Sequence, residues 1–120
     1  MKRETPENQE HRGTPLSVSS SAFENGGWIP DRHSGYGEDR SPELIPDGID
    51  PAAVSMAITL DDADHPLFPN YNHWVAWNLP VVSVIPEGLP RGAAVRTPIC
   101  LEQGMAYGKH CYRGPKPPFH

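Results

Sequence analysis

Asp61, Asp62, Asp64, His65 and His73 place three carboxylates and two imidazoles within one short stretch of the chain. A carboxylate beside a histidine orders the ring and favours its charged form. A protonated imidazole can then donate to an anion such as phosphate. Two other readings compete. Asp is a turn former, because its side chain bonds its own backbone, so Asp61, Asp62 and Asp64 also fit a plain turn. The same oxygen and nitrogen donors would suit a metal, although no H-E-x-x-H or comparable spacing supports one. The residues alone leave these readings open. Nucleophilic catalysis has no signature: there is no G-x-S-x-G elbow, and Cys100 and Cys111 sit in no informative context. A hydrolase acting on a phosphoryl or acyl substrate, with an Asp62/His73 pair as general base, is the alternative from a different class, and it lacks a nucleophile.

The elements that must position these groups are strands. Val54, Met56, Ile58 and Leu60 alternate with Ser55, Ala57 and Thr59, a two-residue period. Asp62 and Asp64 continue the parity of Met56 and Ile58 just past the strand end. A second alternation puts His73, Val75, Trp77 and Leu79 on one face. Strands adjacent in sequence usually pair, so an antiparallel pair is expected, with Asp62, Asp64 and His73 converging at one mouth. Leu16 to Phe23 also alternates, and a short strand is expected near Glu43–Ile45. Val81 to Ile85 extends the sheet on this reading. Arg91 to the end shows no periodicity. The expected class is all-β, an antiparallel sandwich.

Composition narrows the functional classes. Of 120 residues, 15 are Pro and 11 are Gly, which argues against a helical bundle because an internal Pro deletes a helix hydrogen bond. The formal charge is −5, against nonspecific nucleic-acid binding. Residues 31–64 carry a net −7 and residues 91–120 a net +4. No run approaches the ~20 apolar residues of a membrane helix, and the N-terminus lacks the apolar stretch of a signal peptide, so a cytoplasmic protein is expected. Residues 1–14 read as a disordered polar tail ahead of one domain over 15–120. Two cysteines are too few for a disulfide scaffold, and free thiols are expected. His11, His33 and His110 read as exposed histidines. Trp28, Trp74 and Trp77 read as core or rim.

Five motifs, in order, resemble the phosphatidylethanolamine-binding protein family, also called Raf-kinase-inhibitor-like proteins, and look closest to its bacterial and archaeal branch. Ser20-Ser21-Ala22-Phe23 with Gly26-Gly27 and Ile29-Pro30 is similar to the opening strand and turn. Gly37-Glu38-Asp39-Arg40-Ser41-Pro42-Glu43-Leu44 resembles the G-E-D-x-S-P-x-L segment. Asp61-Asp62-Ala63-Asp64-His65-Pro66 resembles the D-P-D-A-P signature, and His73-Trp74-Val75 with Asn78-Leu79-Pro80 resembles the H-W-V-x-x-N-x-P strand. Gly108-Lys109, Tyr112 and Gly114-Pro115-Lys116-Pro117-Pro118 resemble the G-K…Y-x-G-P-x-P-P loop. The resemblance covers residues 16–118.

The resemblance implies a β-sandwich with a small anion pocket for phosphate or phosphoethanolamine-like groups. The positions that match are Asp62, Asp64 and His73, with Gly114, Pro117 and Pro118 as a wall. It implies no cofactor and a noncatalytic binding module, with a protein partner as a further expectation from eukaryotic relatives. Two departures stand out. Ala63 replaces a proline that would fix φ, and His65 replaces an alanine. Family members continue past the Pro-Pro loop with an H-R-Y strand, a further strand and a C-terminal helix. This chain ends at His120, so the expected domain is incomplete, lacking those elements.

Overall fold

The computed structural model describes residues 15–63, 67, 71–106 and 108–117. Among the described residues, six strands build two antiparallel sheets. β1 (Ser17–Ser19) pairs with β2 (Ile45–Asp47). The larger sheet has the order β3-β4-β6-β5, from β3 (Met56–Asp62), β4 (Tyr71–Leu79), β5 (Ala94–Val95) and β6 (Leu101–Gln103). The helical content is a single 3₁₀ turn at Asp31–His33 among the described residues. The architecture is all-β and antiparallel, as the alternation implied. The 1–14 tail lies outside the described residues.

The predicted pair is the centre of the fold. β3 alternates half-buried Met56, Ile58, Leu60 and Asp62 with exposed Ala57, Thr59 and Asp61. Opposite them, Leu60 faces Trp74, Ile58 faces Ala76 and Met56 faces Leu79. Side chains at opposed positions share a face. The apolar face is therefore Met56, Ile58 and Leu60 with Trp74, Ala76 and Leu79. Two β4 irregularities set this pattern. Leu60 and Asp61 pair with Trp74 and Asn72, so His73 is an extra residue. Between Met56 and Ile58 the partner strand again runs one residue longer, and Asn78 takes a left-handed φ of 58° there. An extra residue inverts the alternation beyond it. That corrects the expectation that His73, Val75, Trp77 and Leu79 share one face. Leu79 joins Trp74 and Ala76 in the core, while Trp77 is exposed.

The core adds Ile85, Val95, Leu101 and Tyr112 to these three, with Leu44, Val82, Leu89 and Ile99 packed around them. Trp74 stands edge-on to Tyr112, with ring centroids 5.4 Å apart. Its indole N–H donates to Gln103 Oε1 at 2.7 Å, and Gln103 Nε2 donates to the carbonyls of Pro90 and Gly92 at 3.0 Å. This polar group is tolerated in the core because every partner is supplied.

Several local expectations need correction. Residues 81–85 form no strand: Ile85 makes only an isolated bridge with Leu44. The aperiodic 91–120 region does contribute strands, since β6 pairs with β4 and β5 pairs with β6. Strands of two and three residues are too short to show a period. His33 is fully buried rather than exposed. Trp28 lies at neither core nor rim, being 95% exposed, whereas Trp74 is 1% exposed. Both cysteines are free, Cys100 exposed and Cys111 buried.

Candidate functional site

β3 and β4 bring Asp62 and His73 to the same end of the sheet, where Asp62 pairs in register with Tyr71. Asp62 Oδ2 lies 3.9 Å from His73 Nε2, within ion-pair range. The bulge matters here. It makes His73 the residue skipped by the β3 register, with its ring not committed to the Trp74 face. The ring is buried all the same. Its Nδ1 lies 2.9 Å from the Arg113 carbonyl. A carbonyl can only accept, so Nδ1 carries the hydrogen and donates. Nε2, on the Asp62 side, is the lone-pair nitrogen of the neutral ring and a second donor when the ring is charged. Arg113 also donates its own N–H to the His73 carbonyl at 3.0 Å, so main chain and side chain are clamped together. Tyr71 sets its ring edge-on to the imidazole at 5.8 Å.

A second layer holds the 113–117 segment. Asp39 Oδ1 accepts the Gly114 N–H at 2.7 Å, and Asp39 Oδ2 lies 3.5 Å from Arg113 Nε. Asp39 adopts a left-handed φ of 59°, a conformation Asp tolerates better than most residues. Gly114 is a matter of space. A Cβ there would sit 2.2 Å from the His33 carbonyl oxygen and 2.8 Å from Ser34 Cα. Gly35 donates its N–H to the Pro115 carbonyl at 3.0 Å, and the Tyr36 hydroxyl donates to the Pro117 carbonyl. Lys116 Nζ stands 5.6 Å above the Tyr36 ring. The 3₁₀ turn and the residues after it are thus the mould for the loop that carries Gly114.

Of the residues expected at the site, Asp62 and His73 are brought together. Gly114 follows Arg113, which holds the His73 ring, and Pro117 is exposed and tied to Tyr36. Asp64 and Pro118 lie outside the described residues, as does His65. Among the described residues, no three His, Cys, Asp or Glu side chains gather as metal ligands would. Residue type and spacing do not mark Asp39, Arg113 or Tyr112 as site residues. Asp39 and Tyr112 lie inside the family motifs, but their role as buttresses depends on contacts spanning 75 and 79 residues of chain. A cleft of about 270 Å³ is lined by Asp39, Arg40, Arg91, Cys111 and Tyr112 among others. It does not include Asp62 or His73.

Tyr112 gives the layer a measurable signature. Its hydroxyl donates to the His33 carbonyl at 2.5 Å. Burial, and secondly the negative charge of Asp39, push its phenol above the ordinary value. An unfolded tyrosine loses its proton near pH 10. The folded state keeps it, so the folded chain binds more protons above that pH. Stability from this group is complete below about pH 10 and falls as pH rises beyond it. Urea midpoints are expected to drop on moving into this alkaline range. Tyr112→Phe should flatten the drop. An equally steep loss in Tyr112→Phe would assign it to other groups.

No helix among the described residues is long and apolar enough to cross a membrane. The family profile described as phosphatidylethanolamine-binding protein matches residues 19–120. A UPF0098 protein of Pyrococcus abyssi is 43% identical over 107 residues, covering 88% of this chain and 60% of the relative. Another from Pyrococcus horikoshii is 40% identical over 100 residues, covering 82% and 50%. The chain therefore spans between half and three fifths of the length of these relatives. Among solved structures, a phosphatidylethanolamine-binding protein homologue from Chlamydia trachomatis superposes with a TM-score of 0.71 at 29% identity, covering 87% of this chain and 67% of that one. Escherichia coli YbcL, described as a member of the mammalian family, gives a TM-score of 0.63 at 24% identity, which speaks to the fold alone, over 86% and 67%. With the profile matched over residues 19–120 and the Pyrococcus relatives 43% and 40% identical, the chain belongs to the phosphatidylethanolamine-binding protein family.

Proposed function

We propose that the chain is a noncatalytic binding module whose Asp62/His73 mouth takes a phosphate-like anion, including the head group phosphoethanolamine. The observation that carries this reading is the clamped imidazole. Nδ1 is spent on the Arg113 carbonyl at 2.9 Å, so the ring offers Nε2 toward Asp62 at 3.9 Å. A protonated ring there donates to one anionic oxygen, and Asp62 can pair with the ammonium of phosphoethanolamine. Gly114 and Pro117 form the neighbouring wall, and Asp64 and Pro118 complete the proposed set. The net charge of +4 over residues 91–120 adds long-range attraction for an anion. The family profile supports a binding domain in general; the anion, its cytoplasmic setting and any protein partner belong to this proposal.

The test is calorimetric titration with inorganic phosphate and with phosphoethanolamine, alongside thermal melts. A ligand that binds only the folded state stabilises it by about 2.7 kcal/mol at a hundredfold excess over Kd. His73→Ala is expected to abolish binding of both ligands. Asp62→Ala is expected to weaken phosphoethanolamine more than inorganic phosphate, because it also removes the partner of the ammonium. Unchanged titrations in both variants would remove the site assignment. Ligand turnover that disappears in His73→Ala would favour the hydrolase instead.

A further inference from the structure

We infer that Asp39 is the positioning residue of the candidate pair, fixing the tautomer of His73 through a single peptide group. The Arg113 carbonyl accepts from His73 Nδ1 at 2.9 Å, and the Gly114 N–H donates to Asp39 Oδ1 at 2.7 Å. These two groups belong to the same peptide unit. In a trans peptide the C=O and the N–H point in opposite directions. One plane is therefore gripped at both ends, by an imidazole on its oxygen and by a carboxylate on its nitrogen.

The grip matters because this peptide precedes a glycine. Flipping it turns ψ of Arg113 and φ of Gly114 by roughly a half turn, and glycine tolerates the φ that results. A neutral imidazole suits either orientation, since Nδ1 donates to a carbonyl in one tautomer and accepts from an N–H in the other. A carboxylate does not, because it only accepts. In the flipped state Asp39 Oδ1 would meet the Arg113 carbonyl oxygen with no hydrogen between them. Asp39 thus selects the carbonyl orientation, and the carbonyl selects Nδ1–H. The flanking residue is tied separately: Arg113 Nε lies 3.5 Å from Asp39 Oδ2, and the Arg113 N–H donates to the His73 carbonyl at 3.0 Å.

The consequence lies at Nε2, the nitrogen left on the Asp62 side at 3.9 Å. A ring charged for an anion carries hydrogen on both nitrogens, and only the carbonyl orientation gives Nδ1–H an acceptor. The tautomer follows from geometry alone; its use by an anion rests on the phosphate-like reading proposed above.

Long-range proton–nitrogen NMR correlations at about pH 8.5, above the ordinary histidine range, read the tautomer of the neutral ring. The His73 signals are those lost in His73→Ala. The parent is expected to show Nδ1–H alone. Asp39→Asn keeps the shape and tolerates the left-handed φ of 59°. Its amide accepts from the Gly114 N–H in one orientation and donates to the Arg113 carbonyl in the other, so a mixture of tautomers is expected. Asp39→Gly removes both roles at a φ that glycine favours, and a mixture is expected there too. A chain with about half its rings inverted binds inorganic phosphate about twofold more weakly, because the apparent Kd is divided by the competent fraction. Nε2–H appearing in either folded variant supports the inference. A purely structural Asp39 would lower the urea midpoint and leave every folded variant wholly Nδ1–H, which overturns it, as does Nε2–H in the parent. A mixture in the variants with no phosphate binding by the parent supports the positioning role and removes the anion reading instead.

Discussion

Gly114→Ala is expected to cost about 3 kcal/mol or more, a large part of the roughly 5–15 kcal/mol that holds a typical domain. The new methyl would lie 2.2 Å from the His33 carbonyl oxygen, 2.6 Å from Asp39 Oδ1 and 2.8 Å from Ser34 Cα. Two of these three are main-chain atoms, so no side chain can swing aside to relieve the clash. The loop would have to lift. That would break the charge-assisted bond from Gly114 N–H to Asp39, a class worth about 1.5–3 kcal/mol, and move Arg113, whose carbonyl holds the His73 ring. A stability loss and a loss of anion binding should therefore appear together. Gly26→Ala is the control. Gly26 has a left-handed φ of 79° but nothing within 4 Å of an added methyl, so only the backbone cost of about 1–2 kcal/mol applies. Urea midpoints decide the matter, and a Gly114→Ala chain as stable as Gly26→Ala would sink the close-approach argument.

The second large effect is at Trp74. It sits 1% exposed on the central strand, against Tyr112 and above the Gln103 network. Trp74→Ala is expected to cost about 3–5 kcal/mol through lost burial and the cavity left behind. Trp74→Phe separates the two contributions. It keeps most of the apolar contact but strands Gln103 Oε1, which loses its 2.7 Å donor in a buried setting. An unsatisfied buried acceptor costs about 1–3 kcal/mol. Denaturation midpoints should rank the parent first, Trp74→Phe second and Trp74→Ala last. Near-equality of Trp74→Phe with the parent would mean that the Gln103 bond contributes little beyond geometry.

Local chemistry made part of the fold legible. The alternations in Met56–Leu60 and the aromatic run at His73–Trp77 are strand signals because period two is a property of the pleated backbone itself. Antiparallel pairing alone brought Asp62 and His73 to one end of the sheet, although the side-chain parity assumed for His73 was altered by the bulge. The five motifs carried the family, and the profile over residues 19–120 bears that out. Short strands such as Ala94–Val95 escaped, because two residues hold no period and their pairing is supplied by Leu101–Gln103.

What the tertiary structure decided is the direction of side chains and the state of isolated residues. Asn78 with its positive φ and the extra residue at His73 reassign which β4 side chains reach the core, and no local composition marks either bulge. His33 resembles any loop histidine in sequence, yet its Nδ1 meets the Arg40 carbonyl at 2.9 Å and its backbone carbonyl takes the Tyr112 hydroxyl, so it is wholly buried. Asp39 became a buttress of the candidate site through Gly114, 75 residues away. The sequence by itself determined the two long strand segments around Met56–Leu60 and His73–Leu79 and the family, and it nominated Asp62 and His73 as a candidate pair, since these rest on neighbours along the chain. Burial, bulge position and the Asp39–Gly114–Tyr112 support depend on contacts between distant segments, which exist only once the sheet has formed.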